Sequence, residues 1–140
     1  MEDFFERKKR QLNIQLNDVQ KQAVLATDGP LLLLACPGSG KTTTIIMRIG
    51  YLIEELGVSA KRIKAITFSK ASAKDMQKRF AALFPELPAA DFSTIHSIAF
   101  TISKKWLARQ GRQFTLLEGY SKQNAVKAAC RHVLKEQATE

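Results

Sequence analysis

Apolar runs alternate with stretches of helical periodicity along this chain. Residues 30–35 contain four consecutive leucines and predict a fully buried strand. After a glycine-rich turn, apolar residues recur at three- and four-residue spacing until Gly57, which predicts a helix; they are Ile45, Ile46, Ile49, Leu52, Ile53 and Leu56. Residues 62–68, rich in β-branched side chains, predict a second strand.

The same alternation continues in the second half of the chain. Ser72 and Asp75 have the spacing of a capping box and predict a helix whose apolar face is Ala73, Met76, Phe80, Leu83 and Phe84. Residues 91–96 predict a third short strand, and a helix is expected from Ser97 to Gly111. Beyond Phe114 we expect a brief extended piece and then a helix from Ser121, its N-cap, through Leu134, with Ala125, Ala129 and Val133 in line.

The order β-α-β-α-β-α, with helical crossovers, predicts an α/β fold in which a parallel sheet is covered by helices on both faces. A chain of 140 residues is long enough for one core, either a domain or part of one. Its 45% hydrophobic and 25% charged residues are typical of a folded protein rather than a disordered one.

The charge balance is basic. Lysine and arginine number 22 against 13 acidic residues, a formal charge of +9, which favours polyanionic partners such as nucleotides or nucleic acid. The alternative is that the extra lysines serve only solubility.

Several classes are disfavoured by the sequence. Cys36 and Cys130 lie far apart without metal-ligand spacing, so a disulfide framework is not expected. The amino terminus, MEDFFERKKRQ, is charged and lacks the apolar region of a signal peptide. No apolar run approaches the roughly 20 residues of a membrane helix. These features predict a soluble cytoplasmic protein without membrane contact.

The turn after the leucines has the residues of a phosphate-binding loop. In the pattern G-x-x-x-x-G-K-[ST], backbone N–H groups surround the phosphates, the lysine reaches the β and γ phosphates, and the hydroxyl binds Mg²⁺. Here Ala35 stands at the first glycine position. The sequence therefore predicts a nucleoside triphosphate and Mg²⁺ as cofactors, with catalytic Lys41 and Thr42, Mg²⁺ on Thr42, and nucleotide contacts from Pro37, Gly38, Ser39, Gly40, Lys41, Thr42 and Thr43. The alternative is a Gly-Ser-Gly loop followed by a surface lysine.

The sequence shows no clear candidate for the acidic residue that helps to bind Mg²⁺ during nucleotide hydrolysis. A P-loop motor needs one at the end of another apolar strand, and no apolar run here ends in an Asp-Glu pair. Glu54 and Glu55 fall on the first predicted helix, and Asp91 and Glu118 stand alone. We expect the visible residues to hold a nucleotide but not to hydrolyse it efficiently.

Four stretches together resemble the UvrD/Rep/PcrA type of superfamily 1 DNA helicase. ACPGSGKT is similar to that family's AGAGSGKT, which also has alanine at its first position. LNDVQKQAV, residues 16–24, resembles the family's Q motif, which implies that Gln20 reads adenine. A local alternative is that Asn17 caps a helix and Gln20 closes a capping box.

The other two stretches resemble motifs that meet single-stranded DNA. ITFSKASAKDM, residues 66–76, is similar to motif Ia, although Lys70 and Ala71 replace the usual Asn-Lys pair. FSTIHSIAF, residues 92–100, resembles motif Ib. The resemblance implies DNA contacts from Thr67, Phe68, Ser69, Thr94 and His96, with His96 bonding the DNA backbone or holding its loop rather than acting as a base.

The resemblance covers essentially the whole chain. It implies that residues 1–113 are the N-terminal part of the RecA-like P-loop domain 1A, a partial domain, and that the helical tail 114–140 begins subdomain 1B. It also implies an ATP-dependent 3′–5′ DNA helicase of repair, replication or recombination, whose second RecA-like domain is a required partner, so that these residues alone are nearly inactive. A nuclease-helicase subunit, a non-motor DNA-binding module with a vestigial P-loop, and a small P-loop nucleotide kinase remain alternatives.

Overall fold

The computed structural model describes residues 3–112 and 119–137, the last five of these by backbone only. Two compact units contain residues 1–99 and 100–140. In chain order the described elements are α1 (Phe4–Leu12), α2 (Asp18–Leu25), α3 (Lys41–Glu54), a 3₁₀ turn (Ala60–Arg62), β1 (Lys64–Thr67), α4 (Lys70–Leu83), β2 (Asp91–Thr94), α5 (Ile95–Arg109) and α6 (Gly119–Gln137).

A parallel pair of strands lies at the centre of the first unit. β1 and β2 pair from Lys64 with Asp91 to Thr67 with Thr94, and α4 connects them. α4 packs against both strands, with Phe80 in the same core cluster as Ala65 of β1. The alternate residue Ile66 is 56% exposed on the opposite face. The α/β prediction is confirmed, but in the described residues the sheet has two strands and its Ile66 face is open.

The predicted buried strand at residues 30–35 was wrong in this structure. The segment forms no strand and joins no described ladder, and Leu31, Leu32 and Leu34 are 48%, 81% and 82% exposed. A strand buries such a run only when neighbouring strands pair with its backbone and helices cover its side chains. The described sheet does not reach this segment, so Leu32 and Leu34 stay largely exposed.

The predicted helices form, with shifted boundaries. The helix after the glycines is α3, which buries Ile46 and Ile49 but leaves Ile45 exposed. α4 begins at Lys70 rather than at Ser72, because Ser69 is its N-cap and accepts a 3.1 Å hydrogen bond from the Ser72 N–H.

The third predicted strand, residues 91–96, is shorter than expected. β2 ends at Thr94, and α5 begins at Ile95 rather than at Ser97. His96 therefore lies in the first turn of a helix, two residues beyond the end of the strand.

The C-terminal helix is confirmed as α6, although it begins at Gly119 rather than after Ser121. Ala125 and Ala129, which the sequence places in line on this helix, are both exposed. The extended piece expected from Phe114 and the predicted domain boundary at 113–114 lie outside the described residues. None of the described helices is long and apolar enough to cross a membrane.

The basic amino terminus forms an element that the sequence analysis did not anticipate. Phe4 and Phe5 of α1 are buried, and the Phe4 ring meets Tyr51 of α3 edge-on at 5.2 Å between centroids. Lys8 is only 7% exposed, and its Nζ lies 2.7 Å from the Glu54 carboxylate. The Phe4 ring and the Lys8–Glu54 ion pair thus hold α1 on the end of α3.

Arg7 completes this contact. Its guanidinium donates to Glu54 at 2.8 Å and also to Glu55. The hydrogen bond to the Glu55 carboxylate raises the pKa of Arg7 above its ordinary value. The two acidic residues at the end of α3 therefore act as structural partners of α1.

Close packing at Gly50 generates a stability prediction. A Cβ at this position in α3 would overlap the ring of Phe84, which is buried. Replacing glycine by alanine inside a helix ordinarily stabilises by up to about 1 kcal/mol, but overpacking a core costs about 1–3 kcal/mol. We expect Gly50→Ala to lower the free energy of unfolding in urea.

A second substitution tests the cause. In the Gly50→Ala background, Phe84→Leu should recover part of the lost stability, because leucine leaves room for the new methyl group. An unchanged or raised stability for Gly50→Ala alone would contradict this packing.

Candidate functional site

The turn before α3 is built from two glycines in the left-handed region. Gly38 has φ of 79° and Gly40 has φ of 81°, a conformation that other residues adopt only with strain. Residues 35–40 are called the glycine loop below. Inside it, the Ser39 N–H and hydroxyl both donate to the Cys36 carbonyl, at 3.2 and 2.7 Å. The loop is therefore a closed turn that leads directly into a helix.

The start of α3 is an electropositive end. The first N–H groups of an α-helix have no acceptor within the helix, and the helix dipole adds partial positive charge there. No acidic side chain lies in the first turn of α3. Lys41, Thr42 and Thr43, which form that turn, are half-buried. Such a terminus is suited to an anion.

The Lys41 ammonium lies over the glycine loop. Its Nζ donates to the Cys36 carbonyl at 2.6 Å and to the Ala35 carbonyl at 3.2 Å. The loop carbonyls thus occupy the ammonium, and an anion bound at the turn would compete with them for it.

An open groove of about 240 Å³ lies beside the loop. Its lining includes Gln20 from α2, Leu34 from the segment before the loop and Lys41 from α3. Pro37 and Cys36 are exposed. Among the side chains that the structure describes, in residues 3–112 and 119–132, no group of three or more metal-binding residues is found. A cation here would need oxygen ligands from a bound anion and water in addition to Thr42.

Gln20 connects α2 to the glycine loop. The capping box is present: Asn17 Oδ1 accepts from the Gln20 N–H at 2.9 Å, and Gln20 Oε1 accepts from the Asn17 N–H at 3.0 Å. Gln20 Nε2 also donates to the Ser39 carbonyl at 2.8 Å. The local interpretation of Gln20 is therefore confirmed, whereas its adenine contact stays a prediction.

Two further contacts support the loop and were missed from the sequence. The φ of 81° at Gly40 favours glycine, and a Cβ there would also lie 3.0 Å from Gln20 Nε2, a close contact that would displace the amide slightly. Thr44 Oγ1 donates to the Gly40 carbonyl at 3.0 Å. The Gln20 contact depends on tertiary packing. The Thr44 bond is a local contact one helical turn back along the chain, and a threonine four residues after a glycine gives no distinctive sequence signal for it.

The second group of predicted site residues lies at one edge of the sheet. Thr67 and Thr94 are register partners at the carboxyl ends of β1 and β2, and the next residues lead into α4 and α5. Phe68 is 92% exposed, and His96 is exposed in the first turn of α5. The structure therefore brings all five predicted DNA-contacting residues to the same edge.

Most of the hydroxyl groups at this edge have structural partners. Thr67 Oγ1 donates to the Ser69 carbonyl at 2.9 Å, and Ser69 Oγ caps α4. Thr94 is only 5% exposed, and its Oγ1 accepts from the Ser97 N–H at 3.2 Å, which caps α5. Phe68 and His96 are the predicted contacts whose side chains are open to a ligand.

Comparison with known proteins identifies relatives. Residues 16–140 match the family model described as the UvrD/REP helicase N-terminal domain. The ATP-dependent DNA helicase PcrA of Bacillus subtilis is 40% identical over 131 residues, which cover 90% of this chain and 17% of that protein. PcrA of Leuconostoc citreum is 41% identical over 108 residues, 76% of this chain and 14% of that protein. The chain thus spans less than a fifth of the length of these relatives.

The position of Gln20 generates a prediction that needs no ligand. Gln20→Ala removes one half of the capping box and the bond to Ser39, and loss of a cap costs about 0.5–2 kcal/mol. We expect a loss of about 1 kcal/mol in the free energy of unfolding. Gln22→Ala, at an exposed position of the same helix, is the matched control. Equal losses in the two variants would contradict the role of Gln20 as a support of the loop.

Proposed function

The chain belongs to the UvrD/REP helicase family, and from that premise we propose that it is the ATP-binding and single-stranded-DNA-contacting N-terminal part of an ATP-dependent 3′–5′ DNA helicase. The main support is the position of Lys41 at the start of α3, over a loop with two left-handed glycines. On this proposal the glycine loop is a P-loop and the first unit is part of a RecA-like domain.

The proposed nucleotide site uses backbone and side chains in separate roles. The open N–H groups at the start of α3 would bind phosphate oxygens, with Gly38 and Gly40 leaving room for their approach. The Lys41 ammonium would exchange its two carbonyl acceptors for β and γ phosphate oxygens. The Thr42 hydroxyl would be one ligand of Mg²⁺, which neutralises phosphate charge during transfer. Pro37, Ser39 and Thr43 would line the same pocket.

Adenine recognition by Gln20 is compatible with its structural bonds. An amide oxygen has two lone pairs and an amide nitrogen has two hydrogens. In this structure Oε1 uses one lone pair for Asn17, and Nε2 uses one hydrogen for Ser39. One donor and one acceptor remain, which is the pair that an adenine edge requires.

The sheet edge would contact single-stranded DNA. An exposed aromatic ring next to polar groups is suited to stacking on an unpaired base, and Phe68 has this exposure. His96 would bond the DNA backbone. Thr67, Ser69 and Thr94 would contribute through the loops that they cap.

We propose that ATP hydrolysis and movement along DNA require further parts of a helicase, including a second RecA-like domain. Glu54 and Glu55 are paired with Arg7 and cannot serve as the acidic residue for Mg²⁺ without breaking those pairs. We therefore propose weak nucleotide binding and negligible unwinding by these residues alone, and a cytoplasmic role of the whole protein in repair, replication or recombination.

One observation favours a second candidate, a DNA-binding module with a vestigial loop. The Lys41 ammonium already has two carbonyl partners, so the loop is satisfied without a phosphate. If these bonds are never exchanged, the chain would bind DNA but not ATP.

Nucleotide binding separates the two candidates. We expect a fluorescent ATP analogue with Mg²⁺ to bind the chain, and Lys41→Ala to weaken binding about 10- to 100-fold, since a hydrogen bond to a charged group contributes about 1.5–3 kcal/mol. Lys61→Ala, an exposed lysine of the 3₁₀ turn, should bind as the parent does. Equal affinity in Lys41→Ala and the parent would favour the vestigial loop.

Phe68 allows a separate test of DNA binding. Stacking of a base on an aromatic ring contributes about 1–3 kcal/mol, so Phe68→Ala should weaken binding of an oligothymidine about 5- to 150-fold in fluorescence anisotropy. Phe68→Tyr should retain most of the affinity. Leu32→Ala, another exposed apolar position, is the control. The stacking role would be excluded by full affinity in Phe68→Ala.

A further inference from the structure

The outer face of α4 carries a regular row of positive charge. Lys70, Lys74 and Lys78 are spaced by four residues, and all three are exposed. Residues at this spacing lie on the same side of a helix, about 6 Å apart along its axis. These three residues, called the lysine stripe below, extend over about 12 Å.

The packing of α4 fixes which way the stripe faces. Ala73, Met76 and Phe80 are buried against the sheet and the core. On a helix of 3.6 residues per turn, Lys74 and Lys78 lie about 100° or more around the axis from all three buried residues, and Lys70 lies at the border of the buried face, about 60° from Ala73. The ammonium groups of the stripe therefore face solvent along the length of the helix.

The charge of the stripe is not compensated locally. Asp75 is the one acidic residue of α4, and its carboxylate pairs with Arg79 at 2.8 Å, beside the stripe. In the part of the chain that the structure describes, no carboxylate forms an ion pair with Lys70, Lys74 or Lys78. The positive end of the α4 dipole adds to the field where the stripe begins.

The stripe begins at the exposed ring. Phe68 lies two residues before Lys70, at the edge where β1 ends, and it is 92% exposed. A ring that stacks on a base accepts only an unpaired nucleotide, and cations in a row beside it bind a phosphate backbone. The combination fits single-stranded DNA better than a duplex.

We propose that the lysine stripe is a backbone track for single-stranded DNA, which continues along α4 from the base stacked on Phe68. The proposal rests on the DNA-contacting function proposed above and adds a path that the motif residues do not define. The stripe contributes affinity without sequence preference, because ammonium groups on a solvent-exposed face meet phosphates rather than base edges.

The test measures the salt dependence of DNA binding. For single strands the slope of log affinity against log salt is about −0.7 per phosphate contact, so three contacts give a slope of about −2. We expect the triple variant Lys70→Gln, Lys74→Gln, Lys78→Gln to bind oligothymidine with a salt dependence that is less steep by this amount, because its three phosphate contacts are removed. At 0.1 M salt its affinity should fall up to about 100-fold. The triple arginine variant should keep the parent slope.

A matched variant controls for net charge. Lys9→Gln, Lys61→Gln, Arg62→Gln also removes three exposed cations, from α1 and from the amino-terminal side of β1. This variant should keep most of the slope. Equal losses in the two glutamine variants, or no loss in the stripe variant, would overturn the track.

The outcomes separate this inference from the proposed function. Weakened binding by Phe68→Ala with an unchanged slope in the stripe variant would reject the track and leave the DNA-contacting function standing. Absence of oligothymidine binding by the parent chain would reject both.

Discussion

Parallel pairing of β1 with β2 is the constraint on which the candidate DNA-contacting edge depends. Because the strands run in the same direction, Thr67 and Thr94 reach the same edge, and the helices that follow both begin there. A parallel pair requires a crossover, and α4 supplies it while packing against both strands. Its inner face is thereby committed to the core and its outer face to solvent. The exposed ring, the two helix caps and the row of cations all follow from this arrangement.

Support for the glycine loop comes from outside the loop. Gln20 reaches it from α2 and Thr44 from the next turn of α3, and both bond to loop carbonyls. The same amide closes the capping box of α2, so the position of the loop is linked to the start of a separate helix. A nucleotide that bonded Gln20 would meet a side chain already held in place, which lowers the entropy lost on binding.

The sequence alone predicted those elements whose structure is determined by residues close to one another in the chain. Glycine placement, apolar spacing and strand composition identified the loop, α3, α4 and the parallel pair. The start of α4 was misplaced because Ser69 and Ser72 are both good caps, and only the end of β1 decides between them. The contact between α1 and α3 was not predicted, because FFERKKRQ has the composition of a charged surface segment. Its burial depends on Tyr51 and Glu54, more than 40 residues away. The family motifs indicated which residues to inspect, but not that Thr94 is buried as a cap.

The uncovered leucines of residues 31–34 affect what a measured stability means for this chain. Burying a leucine side chain contributes about 1.5–3 kcal/mol, so covering Leu31, Leu32 and Leu34 would release an amount comparable to the whole stability of a small domain. Any surface that shields them acts thermodynamically as a ligand of the native state. The melting temperature is then a property of the chain together with its surroundings, and it should rise with the concentration of whatever masks those side chains.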